Sequence, residues 1–153
     1  MLERVDITVV GAGVAGLTTA LALEERGHRV HVVAEAIEHA ITASIAGAVW
    51  FPYFVGPADK VGAWAERTRV WLTEIARRTP DAGVDVLAFY EITRDASPLW
   101  WAPHAAFARV PAPVTVVPEA WTFDAPRAEP ALFLRWLARR LRAPIEPRRV
   151  TEL

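Results

Sequence analysis

The sequence predicts an α/β fold in which a β-α-β unit on a parallel sheet is followed by a mixed, strand-bearing region. Two observations carry this. Residues 4–35 run from an apolar strand through a glycine cluster and a helical period into a second apolar strand. Seven of the eight glycines lie in residues 1–62 and ten of the twelve prolines after residue 79, so the first third is built for close backbone approach and the rest is not. The composition of the 153 residues, 53% hydrophobic and 23% charged with a net charge of −1, is that of a soluble globular domain.

Each element follows from its pattern. Residues 4–10 (RVDITVV) form a near-continuous apolar run bounded by glycine, which suits a central parallel strand buried on both faces. From Val14 the period becomes helical, with Val14, Leu17 and Leu21 on one stripe, Glu24, Glu25 and Arg26 at the far end, and Gly27 where a helix favours a left-handed residue. Arg29–Ala34 is the second strand, closed by Glu35. Residues 36–58 have no period and are read as irregular. Asp59–Arg78 is a helix with Trp64, Thr68, Trp71, Leu72 and Ile75 on its inward stripe, ended by Thr79-Pro80. Val84–Ile92 is a strand, and the proline-rich stretch 95–130 holds short strands at Phe107–Val110 and Val114–Val117. A further helix runs from Pro130, at its first turn, to Arg142, with Phe133, Trp136, Leu137 and Leu141 inward. Pro144–Val150 is a last strand whose prolines fit an edge.

The same residues exclude several functions. Without cysteine there is no disulfide, thiol nucleophile or thiolate metal site. Near-zero net charge and a single lysine, Lys60, leave no nucleic-acid footprint. His28 and His31, three apart on or near a strand, point to opposite faces, and His39 and His104 lack spaced partners, so no metal site is expected. Neither Ser44 nor Ser97 stands in a nucleophile elbow. The uncharged runs Ile7–Leu23 and Ala40–Ala58 are interrupted by glycines and, in the second, by Pro52 and Pro57, so neither reads as a membrane span and a cytoplasmic protein is expected.

The glycine cluster carries the chemistry. Gly11-Ala-Gly13-Val-Ala-Gly16 follows a strand, opens a helix, and is answered by Glu35, 19 residues past the third glycine. Gly11 permits the tight turn, Gly13 lets a pyrophosphate approach the backbone, and Gly16 lets helix and strand pack closely, as in Rossmann-like dinucleotide sites. Unpaired amides at the helix N-terminus face the phosphates. Glu35 can accept hydrogen bonds from ribose hydroxyls and would repel a 2′-phosphate. Leu17 stands where a phosphate-transferring loop needs lysine, so phosphoryl transfer is excluded. Spacing alone does not separate NAD from FAD.

Residues 41–53, Ile-Thr-Ala-Ser-Ile-Ala-Gly-Ala-Val-Trp-Phe-Pro-Tyr, look like the second signature of the D-amino-acid oxidase family of FAD-dependent, glutathione-reductase-like flavoprotein oxidases. The helix 59–78 with its tryptophans, Trp121-Thr-Phe-Asp, and Ala131-Leu-Phe-Leu-Arg-Trp-Leu resemble later elements of that family in order, so the resemblance runs from residue 4 to about 150. It implies FAD as cofactor, with a D-amino acid oxidised to an imino acid and O2 reduced to peroxide. By resemblance, Gly11, Ala12, Gly13, Val14 and Gly16 would meet the pyrophosphate and Glu35 the adenosine ribose. Ala36, Thr42 and Ala43 would touch the ribose–phosphate region. Gly47, Ala48 and Val49 would lie against the isoalloxazine, and the Val150 backbone would meet the adenine end. Ala36 departs from the family, where a basic residue often follows the acid. Phe51 and Tyr53 either border a substrate pocket or are core aromatics. Residues 1–58 and 130–153 would be the FAD-binding portion, and 59–129 a helix with a β-rich part of a substrate-side cap.

The resemblance covers the N-terminal half of the family's fold. Its carboxylate-binding arginine and active-site tyrosines lie in the other half, so no catalytic residue is expected in this chain, and the fold is expected to be incomplete relative to the family. In a 3-2-1-4 sheet order the next strand would pair with the free side of residues 4–10. Left unpaired, that edge is an association template, so self-association or a complementing C-terminal half is expected. Trp100-Trp101 is expected to pack against such a partner. Two readings stand: a D-amino-acid oxidase-type enzyme, or a related amine or glycine oxidase, represented by its cofactor half; and a non-catalytic FAD-binding or assembly module or remnant.

Overall fold

The computed structural model describes residues 3–37, 42–52, 55–92 and 106–152. Tyr53, Trp100, Trp101, His39, His104 and Ser97 lie outside the described residues. The chain divides into two compact units: residues 1–47, 81–83 and 129–153, and residues 48–80 and 84–128.

In the first unit, β1 (Asp6–Val10), α1 (Val14–Glu25) and β2 (Arg29–Ala34) make the expected β-α-β unit. The strands are parallel, with Asp6 opposite Arg29 and Val10 opposite Val33. A short parallel strand on the far side of β2, termed β6 (Glu146–Pro147), completes the order β1-β2-β6. The central strand is therefore β2, and Val30, Val32, Val33 and Ala34 are all buried there. β1 is corrected to an edge strand among the described residues, alternating between exposed and half-buried positions, because β2 is its one neighbour. Its apolar sequence reads as central because composition reports burial potential, whereas burial needs a second neighbour.

Leu17 and Ala20 of α1 pack on this sheet, with Val9, Leu23, Leu141 and Ile145 around the cluster formed by Ala20, Val30 and Val32. The helix α3 (Pro130–Arg139) opens with proline in its first turn and buries Phe133, Leu134 and Leu137. It ends before Arg142, and the inward positions predicted at Trp136 and Leu141 are half-buried. Glu24, at the end of α1, is 5% exposed although its sequence neighbours are polar. Its carboxylate accepts from the Arg142 backbone N–H (3.2 and 3.3 Å), and the Arg142 guanidinium donates to the Glu24 carbonyl (3.0 Å). A carboxylate leaves water without large cost only where such donors replace the solvent.

The second unit is a three-stranded antiparallel sheet in the order β3-β5-β4: β3 (Val84–Glu91), β4 (Phe107–Pro111) and a ten-residue central strand, β5 (Glu119–Ala128). The strand predicted at Val114–Val117 is instead part of the turn joining β4 to β5. The prolines at 111, 113 and 118 interrupt pairing there, and the true strand begins just after the last of them. Residues 48–50 extend the sheet: Val49 bridges Arg127, the Trp50 amide donates to the Pro126 carbonyl (2.9 Å), and the Ala128 amide donates to the Ala48 carbonyl (2.8 Å). The helix α2 (Ala58–Arg78) lies against this sheet through Gly62, Ala65 and Ile75. The Trp50 indole donates to the Ala65 carbonyl (2.8 Å) and meets Phe123 edge-on, with centroids 6.1 Å apart. Trp64 and Trp71, expected on the inward stripe, are 61% and 42% exposed. The packing seam beside Trp50 runs through the small residues Gly62 and Ala65, which admit its bulk, and Trp64 stands one position, or about 100° of helix, away from Ala65. No helix among the described residues is long and apolar enough to cross a membrane.

Candidate functional site

The carboxyl end of the parallel sheet gathers most of the predicted site. β1 ends into Gly11, whose φ of +108° an L side chain rarely adopts. Its N–H donates to the Val33 carbonyl (2.8 Å), so the turn crosses onto β2 two residues before Glu35. Ala12 is buried beneath the turn. Gly13 is the N-cap of α1, in extended backbone, with no side-chain cap and no acidic residue in the first turn. The Leu17 amide is the first to bond within the helix, to the Gly13 carbonyl (2.9 Å). The amides of Val14, Ala15 and Gly16 thus form the positive end of the helix dipole. Val14 is exposed beside them.

The three glycines do different work. A Cβ on Gly16 would overlap the Gly11 carbonyl oxygen and stand 3.0 Å from its carbon, so Gly16 is required by packing. A Cβ on Gly13 would touch only Ala43, at an ordinary 3.9 Å, so packing places no such demand there. A glycine that packing does not require, at the N-cap of an uncapped helix, fits close approach by an anion. Ala43 stands in a short 3-10 turn, Thr42–Ser44, beside this N-terminus.

Glu35 follows the last residue of β2 and is exposed, with Ala36 half-buried after it. Beyond β6 the Arg148 amide donates to the Ala34 carbonyl (3.0 Å), which keeps residues 148–150 beside the end of β2 and brings half-buried Val150 to the same edge. The Arg149 guanidinium stands 3.7 Å from the Glu35 carboxylate. Sequence reasoning missed Arg149, since nothing in the spacing of residues 35 and 149 signals that β6 returns beside β2.

The remaining predicted residues are distributed differently. Gly47 closes the first unit, with open space where its Cβ would be. Ala48 and Val49 belong to the second unit, where their backbones extend the β5 edge. Phe51 packs in the aromatic core of that unit, with ring centroids 5.0 Å from Phe89 and 6.3 Å from Phe123. Among the described residues no cluster of His, Cys, Asp and Glu could hold a metal ion.

Comparison with known proteins gives the family and the fold. A profile described as FAD dependent oxidoreductase matches residues 6–145. A D-amino-acid oxidase of Rubrobacter xylanophilus is 37% identical over 139 residues, covering 88% of this chain and 42% of that protein. One of Streptomyces coelicolor is 33% identical over 153 residues, covering 97% of this chain and 48% of that protein. The chain thus spans somewhat under half the length of these curated relatives. Among solved structures, L-amino acid deaminase from Proteus vulgaris superposes with a TM-score of 0.67 at 19% identity, over 95% of this chain and 40% of that one. Its variant lacking the specific insertion sequence gives 0.72 at 17% identity, over 95% and 45%. These two likenesses concern the fold. Taken with the profile that matches nearly the whole chain, the glycine turn, its helix and the acid at the next strand end place this chain in the FAD dependent oxidoreductase family.

Proposed function

We propose that this chain binds FAD at the carboxyl end of its parallel sheet and serves as the cofactor-binding part of an oxidase acting on D-amino acids. The observation that carries the reading is the division of labour in the glycine turn: Gly16 is demanded by packing, Gly13 is not, and Gly13 stands at the N-cap of a helix to which it supplies no side-chain cap. The amides of Val14, Ala15 and Gly16 would take the pyrophosphate, Glu35 would accept from the adenosine ribose, and the backbone near Val150 would meet the adenine. Ala12 would lie with the glycine turn at the pyrophosphate, Ala36, Thr42 and Ala43 would touch the ribose–phosphate region, and Gly47, Ala48 and Val49 are the residues that the family resemblance assigns to the flavin ring.

FAD, when bound, accepts the hydride of the oxidised substrate. The overall reaction takes a D-amino acid and O2 to the imino acid and H2O2, with water then releasing the 2-oxo acid and ammonia. This chain's contribution is to hold and orient the cofactor. The names and the 37% and 33% identities of the two bacterial relatives support the substrate class. The β1 edge, open among the described residues, supports association with a second copy or a complementing polypeptide.

Titration of the chain with FAD, read by a shift and quenching of the flavin spectrum, tests binding. Saturation at one FAD per chain is expected, and a tenfold loss in Glu35→Ala. Peroxide release on a panel of D-amino acids, with and without a co-expressed C-terminal half from a relative, tests the activity. Peroxide only with the second polypeptide is expected, and none in either condition contradicts the oxidase reading.

A further inference from the structure

We infer that Arg149 is a positioning residue of the nucleotide site, holding the Glu35 carboxylate ready for the ribose diol of an adenosine nucleotide. The inference deepens the reading above and rests on it.

The backbone brings this residue into place. β6 runs parallel to β2 with Val33 opposite Glu146 and Ala34 opposite Pro147, and the Arg148 amide continues the ladder onto the Ala34 carbonyl. Successive side chains on such an extended segment alternate in direction. Arg148 accordingly pairs with Glu146, two residues back (3.0 Å), while Arg149 faces the other way, towards Glu35. The placement of Arg149 is therefore imposed by strand register.

Its distance suits positioning. At 3.7 Å the guanidinium Nη1 attracts the Glu35 Oε1 electrostatically without a hydrogen bond of normal length. The carboxylate keeps its acceptor capacity for two hydroxyls. Glu35 is otherwise a long, exposed side chain, 64% accessible, free to sample several rotamers. A cation held beside one oxygen by the backbone register narrows that range. The pair is exposed, so its effect is modest and screened by salt.

A double-mutant cycle on ADP-ribose binding, followed by calorimetry, separates this role from others. Arg149→Ala is expected to weaken ADP-ribose about two- to fivefold at low salt, with the loss shrinking at 1 M salt. Arg149→Lys is expected to restore most of the affinity, since a point charge suffices at this distance. In a Glu35→Ala background, Arg149→Ala is expected to change nothing further. An equal loss in both backgrounds, or none in either, overturns the inference while leaving the nucleotide site intact. Failure of the unaltered chain to bind ADP-ribose overturns both.

Discussion

Gly13 and Gly16 are three positions apart, identical in type, and opposite in what replacement should do. Gly16→Ala drives a Cβ into the Gly11 carbonyl, where backbone must move, and is expected to cost about 2–4 kcal/mol in urea denaturation. Gly13→Ala meets only Ala43 and keeps an allowed φ of −78°, so its cost is the weaker N-cap, under about 1 kcal/mol. Glu24 is a third case. Glu24→Ala would remove the acceptor of the part-buried Arg142 amide and is expected to cost about 0.5–1.5 kcal/mol, by the same measurement. The glycine spacing and Glu35 were legible in the sequence because dinucleotide turns need fixed residue types at fixed offsets. Glu24 and Arg149 were not, since each owes its role to a partner more than a hundred residues away that only the tertiary fold supplies.

Among the elements, α2 shows how periodicity can place a helix and misplace its face. Its extent, its basic C-terminal turn and its stop at Thr79 follow from the pattern. Its seam does not, because a stripe of tryptophans outweighs a stripe of Gly62 and Ala65 on any hydrophobicity count, yet the small residues make the close approach to Trp50 possible. Trp64→Gln is therefore expected to change stability by no more than about 0.5 kcal/mol, and Ala65→Leu to cost about 1–3 kcal/mol, both read from thermal unfolding. The ten-residue β5 was missed for a related reason: Pro126 lies within it, and a central strand seldom holds proline. In the structure the Pro126 carbonyl still accepts, from Trp50, so the residue contributes to the sheet without donating.

Across the whole molecule, the β-α-β core, the three helices and the family were legible, because each rests on local pattern or on contiguous motifs. The sequence reading divides the chain into 1–58 with 130–153 and 59–129; the two compact units of the structure interleave in the same way and part at residues 47 and 128, where long-range pairing draws residues 48–50 onto β5. β1 with its outer edge open among the described residues, and Val10 half exposed at its end, presents unpaired amides and carbonyls beside apolar surface. The chain is expected to self-associate at micromolar concentration in analytical ultracentrifugation, and Thr8→Lys on that edge to reduce the association; a concentration-independent monomer contradicts this. The central claim, that the glycine turn serves a pyrophosphate, is tested most directly by titrating FAD into the unaltered chain and Gly13→Ala side by side. The account predicts saturable binding to the former and at least a tenfold loss in the latter, although the two unfold within about 1 kcal/mol of each other. Equal affinity in the two chains would contradict it.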